Sequence, residues 1–225
     1  STSVIYGLAG FNPSSAGTSA TVSSGTATLT SLASSSTYDI YAVTTCGTST
    51  YSDTLGPISL ITPCAAVATP YFESFDGTSA GSSSNPSLPV CWEYYKSGTY
   101  FAPYAFNRSY SFDSQTSSAA DHFIYSYRAN GASYSGDSMI VMTPEIQGLD
   151  SATKMVEFQA RTISSSYTGM IVYGVANSNG DASSFTILDT IYATGSWDKY
   201  TIYLDAAAGI GAGDARFGFI HIQDG

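Results

Sequence analysis

Short runs of alternating apolar and polar residues recur along the chain, each bounded by Gly, Ser, Asn or Pro. Val156, Phe158 and Ala160 alternate with Glu157, Gln159 and Arg161; Tyr200, Ile202 and Leu204 alternate with Thr201 and Tyr203. A period of two sends successive side chains to opposite faces, so these runs predict strands half buried on a core. Met170 to Val175 is more continuously apolar, as expected for a central strand. Helical periodicity is nearly absent, and only Ala206–Gly213 reads as a helical turn. The pattern predicts an all-β protein in two units. In the first, residues 1–63, strands are expected at Val4–Gly7, Ala20–Ser23, Thr26–Leu29, Tyr38–Thr45 and Ile58–Thr62. The second, residues 64–225, is expected to hold nine or ten. These are Tyr71–Phe75, Trp92–Tyr95, His122–Tyr125, Met139–Met142, Met155–Ala160, Gly169–Ala176, Phe185–Tyr192, Trp197–Leu204 and Ala215–His221. The Ser-, Gly-, Asn- and Pro-rich stretch Asp76–Pro89 reads as a surface loop.

Composition sharpens this picture. Charged residues are 11% of the chain, so Ser, Thr, Asn and Gly must carry solubility. Such hydroxyl-rich surfaces are common on exported proteins. The 18 Tyr fit strands, where bulky rings pack on a half-buried pleated surface. A net charge of −10 with 7 Lys plus Arg repels phosphate backbones and anionic membranes, which excludes nucleic-acid partners. No apolar run is long enough for a spanning helix, so membrane insertion is not expected. The three Cys, Cys46, Cys64 and Cys91, form no C-x-x-C pair, so no zinc or redox motif is present. Both ends read as cut from a longer chain.

Catalytic chemistry finds little support. The two His, His122 and His221, lie in strand-like runs, and no Ser sits in a G-x-S-x-G elbow. The carboxylates Glu93, Glu145 and Glu157 do not form the facing pair that glycoside hydrolysis needs. The chain is expected not to be an enzyme.

Two resemblances organise the rest. The run from Leu32 to Val43, with Tyr38 at its centre, resembles the E–F corner of a fibronectin type III domain. Tyr6-Gly7-Leu8-Ala9-Gly10-Phe11, Cys46-Gly47, Gly56-Pro57-Ile58 and Thr62-Pro63-Cys64 are similar to the version repeated in exported proteins of Bacteroidetes. The resemblance implies a sandwich lacking its first strands, with Leu32 plugging the core and the Tyr38 hydroxyl bonded back to the backbone. From Cys64 onward, Pro70-Tyr71-Phe72-Glu73-Ser74-Phe75-Asp76 and Leu88-Pro89-Val90-Cys91-Trp92 resemble the opening of MAM-like and cleaved-adhesin domains. Met142-Thr143-Pro144-Glu145-Ile146, Met155 to Arg161 and Arg216 to His221 match later strands of that family. This resemblance implies a concanavalin-A-like jelly roll lacking its last strand.

The MAM-like resemblance also implies a disulfide between Cys64 and Cys91, with Cys46–Cys64 as the competing pairing. A closed loop of about 27 residues would remove roughly 3–4 kcal/mol of unfolded-state entropy. Calcium is implied at Glu73, with Asp76 and Asp121 nearby, because hard oxygen ligands suit that ion. Four Asp-Ser/Thr-apolar triplets resemble the O-glycosylation sequon of Bacteroidetes exported proteins, with acceptors Thr54, Ser138, Ser151 and Thr190. Asn107-Arg108-Ser109 also fits an N-glycosylation site. The resulting expectation is a non-catalytic module of a secreted cell-surface adhesin or filament, exported by type IX secretion. Its partners would be neighbouring modules of its own chain and a glycan or surface protein. The alternative is an accessory carbohydrate-binding or spacer module of a secreted peptidase or glycoside hydrolase.

Overall fold

The computed structural model describes residues 2–44, 53–82, 84–96, 103–107, 122–126, 138–149, 154–162, 169–177, 184–204 and 215–222. The architecture is all-β, built from antiparallel sheets. The chain divides into two compact units, Ser1–Ala65 and Ala66–Gly225. Residues 205–214, where a helical turn was expected, and Cys46 lie outside the described residues.

Unit 1 is a four-stranded sheet of β1 (Thr2–Leu8), β2 (Thr18–Thr21), β3 (Thr37–Thr44) and β4 (Leu55–Ile61), in the order β2-β1-β3-β4. Register aligns Leu8, Tyr38 and Leu60 on one rung, and Tyr6, Ile40 and Ile58 on the next. Directly opposed residues share a face, so these six apolar side chains line one side of the sheet. Two tyrosines pin a loop to that side. The Tyr6 hydroxyl donates to the Thr30 carbonyl (3.0 Å) and accepts from the Thr30 N–H (3.2 Å). The Tyr38 hydroxyl accepts from the Ala33 N–H at 2.8 Å, the backbone bond expected of it. On the opposite side, buried Asp39 accepts from the Gly10 N–H (2.8 Å) and the Ser59 hydroxyl (2.9 Å).

The strand expected at Thr26–Leu29 is not formed. Only a single bridge joins Ser23 to Thr26, across a turn in which Ser24 and Gly25 both have positive φ. The segment that follows spends its backbone groups on the Tyr6 hydroxyl rather than on a neighbouring strand.

Unit 2 is built around a five-stranded sheet in the order β11-β10-β13-β8-β5. These strands are β11 (Thr186–Ala193), β10 (Gly169–Asn177), β13 (Ala215–Ile222), β8 (Ser138–Met142) and β5 (Glu93–Lys96). A ribbon of β9 (Lys154–Ala160) and β12 (Asp198–Leu204) supplies Val156, Phe158, Ile202 and Leu204 to a core shared with Tyr173, Val175 and Phe217 of the large sheet. On the other face, Ile140, Met142, Val172, Ala176 and Ile220 form a second cluster with Met170 and Phe185. The continuously apolar run of β10 is thus buried on both sides. Gly174 and Gly218 are paired on neighbouring strands, and a Cβ on either would fall within 3 Å of the Phe185 ring. The two glycines leave a slot that the ring fills. A further pair, β6 (Tyr104–Asn107) and β7 (His122–Tyr125), completes the strands of this unit among the described residues.

The strand expected at Tyr71–Phe75 is also absent. Pro70 has no N–H to donate, and the Phe75 N–H is taken by the Glu73 side chain at 2.7 Å. Phe75 then turns to positive φ, which ends any extended run. β6 was not anticipated. Its four residues are too few to show a period of two, although Pro103 and Asn107 bound them.

Candidate functional site

The segment Tyr71–Asp76 and the start of β5 form one polar network. The Trp92 indole N–H donates to the Tyr71 hydroxyl at 2.9 Å, and that hydroxyl stands 3.4 Å from Glu73 Oε2. Phe75 packs edge-on against Trp92, with ring centres 5.3 Å apart. Burial pushes the Tyr71 hydroxyl pKa above its ordinary value; the Trp92 hydrogen bond opposes the rise and the Glu73 charge adds to it. Cys64 and Cys91 are joined in a disulfide. Cys91 takes a positive φ of 68°, and its carbonyl accepts from Arg216 Nη1 at 3.1 Å. The same nitrogen donates to the Thr143 carbonyl at 3.0 Å, and Nη2 pairs with Glu93 Oε1 at 3.0 Å. Arg216 is buried on β13, so Glu93 and the two carbonyls take the place of its water shell.

Of the expected calcium ligands, Glu73 and Asp76 lie three residues apart in one segment, and Asp121 is outside the described residues. One Glu73 oxygen is committed to the Phe75 N–H, and Asp76 is exposed. Among the described residues no group of three or more His, Cys, Asp or Glu could hold a metal ion. Two carboxylates fall short of the six to eight oxygens calcium takes, so the fit of the described residues to that ion is partial. Among the glycan acceptors, Thr54 is exposed just before β4 and Thr190 is half-buried on β11. Ser138 opens β8, Ser151 lies outside the described residues, and Asn107 ends β6.

Two of the three carboxylates weighed for hydrolysis are tied up separately. Glu93 holds Arg216, and Glu157 holds Lys199 at 2.7 Å while accepting from the Thr201 hydroxyl at 3.2 Å. His221 Nδ1 lies 2.7 Å from the Ser126 hydroxyl, a contact across 95 residues that no local pattern announces.

The outward face of the β9–β12 ribbon gathers side chains that the sequence reading assigned only to alternation. Register pairs Gln159 with Lys199, Glu157 with Thr201 and Met155 with Tyr203. These six point away from the core, because Val156, Phe158, Ile202 and Leu204 point into it. Tyr203 is 77% exposed and Met155 56%. One rung beyond the strands, the Arg161 guanidinium lies over the Trp197 ring at 5.9 Å, and Phe123 of β7 meets Trp197 edge-on at 5.6 Å.

No family model and no curated protein matches this chain. Three solved structures are similar. The K1 cleaved adhesin domain of Lys-gingipain from Porphyromonas gingivalis W83 is 18% identical, over 68% of this chain and 87% of that one, with a TM-score of 0.48. The K2 cleaved adhesin domain of Lys-gingipain is 16% identical, over 65% and 90%, with a TM-score of 0.45. A structure of carbohydrate-binding modules from the β-sandwich superfamily is 10% identical, over 100% and 80%, with a TM-score of 0.34. No residue role passes from them to this chain.

Proposed function

We propose that this chain is a non-catalytic binding and spacer module of an exported cell-surface protein, in which a partial fibronectin-like sheet precedes a MAM-like sandwich. The observation that carries the reading is the use made of polar groups in unit 2. The carboxylates Glu93 and Glu157 each neutralise a specific cation, and the buried Arg216 stitches β13 to the start of β5. Carboxylates held in this way by a neighbouring cation serve the architecture of the sheet, which favours a structural role for them over bond-breaking. The disulfide and the sparse charge support an extracellular setting, since thiol-reducing compartments do not keep such bonds. Among the described residues no helix is long and apolar enough to cross a membrane. Type IX export, glycans on Thr54, Ser138, Ser151 and Thr190, and calcium bound through Glu73, Asp76 and Asp121 belong to the same reading. Calcium is tested by titration calorimetry on the chelator-treated chain, with Glu73→Gln as the control.

The decisive experiment incubates the purified chain with panels of peptide and glycoside substrates. No product above a buffer blank is expected, while the immobilised chain retains its ligand from a surface extract. Turnover that disappears in Glu93→Gln, Glu157→Gln or His221→Ala overturns the reading.

A further inference from the structure

β4 lies at the rim of the unit 1 sheet, and its outer edge offers backbone groups to whatever lies beside it. The Ala9 N–H bonds to the Thr37 carbonyl, and the Thr62 N–H to the Ser36 carbonyl. Bonded and non-bonded pairs alternate along an antiparallel ladder, so Leu60 and Ile58 exchange bonds with Tyr38 and Ile40. Ser59 and Ile61 therefore point their N–H and carbonyl groups away from the sheet. Pro57 adds a carbonyl on that side and no N–H. The side chains along this edge are apolar and wet: Leu55 is 77% exposed, Ile58 71% and Ile61 73%.

Outer strands are ordinarily guarded against pairing by charge or by shortness. At the rims of the five-stranded sheet, β5 carries Glu93 and Lys96, and β11 carries Asp189. β2, at the other rim of unit 1, has four residues and no large apolar side chain. β4 has seven residues and no charge. A layer laid across the sheet would cover Ile58 and Leu60 and leave the outward groups of Ser59 and Ile61 unpaired. Only a coplanar strand satisfies both. It must be uncharged, apolar at alternate positions and open on its own outer edge.

β4 of a second copy meets these requirements. Set antiparallel about a two-fold axis at Ser59, each Ser59 N–H reaches the Ser59 carbonyl of the other copy, and each Ile61 N–H reaches the Pro57 carbonyl. The missing Pro57 N–H then leaves only the Ile61 carbonyl to water. Ile58 falls opposite Leu60 of the second copy, so the rung Leu8–Tyr38–Leu60 runs on through Ile58, Ile40 and Tyr6 of the other sheet. Charge permits this contact. The chain carries a net −10, yet residues 1–65 hold only Asp39 and Asp53, and Asp39 is buried in its own hydrogen bonds. We infer that β4 is a self-association edge, through which two copies join their unit 1 sheets into one continuous antiparallel sheet. A strand this short falls below the ~800 Å² per partner of a standard interface, so the dimer is weak and reversible.

The test is sedimentation velocity of the full chain over a concentration series reaching the millimolar range, with amide exchange of the same samples. Reversible dimer formation is expected. Ile58→Lys with Ile61→Lys should lower the association constant at least tenfold with an unchanged melting temperature. The added Lys reduce the net charge, so general repulsion would not produce that loss. In the unsubstituted chain, the Ser59 and Ile61 amides should exchange more slowly as concentration rises, while Leu60, already bonded to Tyr38, should not respond. A chain that stays monomeric throughout overturns the inference. So does association that persists in the double variant, as a cysteine cross-link or a contact through unit 2 would, or that leaves Ser59 and Ile61 exchange unchanged. Those outcomes leave the non-catalytic reading standing, because that reading falls only if reaction products form.

Discussion

Among the described residues, unit 1 buries three apolar side chains, Tyr6, Tyr38 and Val43, whereas unit 2 fills two clusters, one on each face of its central sheet. The apolar rungs of unit 1 end in side chains that stay wet: Ile58 is 71% exposed and Leu8 60%. Order in unit 1 is therefore maintained by aimed hydrogen bonds from Tyr6, Tyr38 and Asp39, each of which closes a loop onto the sheet. Unit 2 relies on close packing, with Phe217 only 2% exposed between Tyr173 and Phe219. Charge follows the same division. Residues 1–65 contain no Lys or Arg, and the ion pairs Lys199–Glu157 and Arg216–Glu93 both lie in unit 2. The lesson is that a hydroxyl-rich sequence can specify a sheet by directional bonds where apolar burial is thin, and by shape where it is thick.

This contrast can be broken most forcefully in the core of unit 2. Phe217→Ala removes a ring at the meeting point of three aromatics and should cost about 3–5 kcal/mol. Urea unfolding should show the transition of unit 2 moving while near-ultraviolet signals from unit 1 tyrosines hold. A simultaneous, equal shift of both would show that the units do not unfold separately. Gly174→Ala attacks the same unit through shape. Its Cβ would lie 2.1 Å from the Thr186 carbonyl oxygen, a backbone atom that cannot rotate away. A loss of roughly 3 kcal/mol is expected from such overpacking, and Phe185→Leu in the same chain should recover little of it.

Replacing Cys64 and Cys91 together by Ser should cost roughly 3–4 kcal/mol, because the unfolded chain regains the freedom of the loop between them. Calorimetry with and without reductant measures it; a melting temperature insensitive to both would remove the cross-link from the stability argument. In unit 1, Tyr38→Phe deletes only the hydroxyl that accepts from Ala33 N–H. About 1–2 kcal/mol should be lost, since a part-buried donor is left unpaired, and amide exchange at Ala33 should accelerate. Unit 2 amides should not respond.

The smallest effect is electrostatic. The Lys199 hydrogen bond holds the Glu157 carboxyl below its ordinary value, with slight burial opposing and the Lys199 charge and Thr201 hydroxyl adding. A lowered folded value means the contribution is complete above the ordinary carboxyl range and vanishes as the pH falls through the lowered value. Lys199→Ala should move the Glu157 titration, followed by side-chain carboxyl resonances, upward toward its ordinary position. Because the pair is exposed, its melting temperature at neutral pH should hardly move.

The strands most faithful to their sequence are β9 and β12, where a strict period of two dictates both the strand and its buried face. The Tyr38 bond was expected only because its run resembles a fibronectin type III corner, although it joins residues five apart. Thr26–Leu29 and Tyr71–Phe75 have the composition of strands and are not strands. At Tyr71–Phe75 the Glu73 side chain takes up the Phe75 N–H, and just after Thr26–Leu29 the Tyr6 hydroxyl takes up both backbone groups of Thr30. Arg216 could be read as part of a strand but not as the hub joining Cys91, Thr143 and Glu93, which lie 125, 73 and 123 residues away. The outward face of the β9–β12 ribbon is intermediate. Its alternation is local, yet the meeting of Trp197 with Phe123, and of Glu157 with Lys199, depends on which strands lie side by side.

Alternation, turn residues and sparse charge thus determined by themselves that the chain is all-β, where most strands run and which side chains face inward. These are consequences of backbone geometry within a few residues. Only the tertiary structure decided strand order, the glycine slot for Phe185 and the pairing of Glu93 with Arg216 and of Glu157 with Lys199. Such contacts join positions far apart in sequence, where the cost of closing a loop is met by the packing of the whole sheet and leaves no local periodic trace.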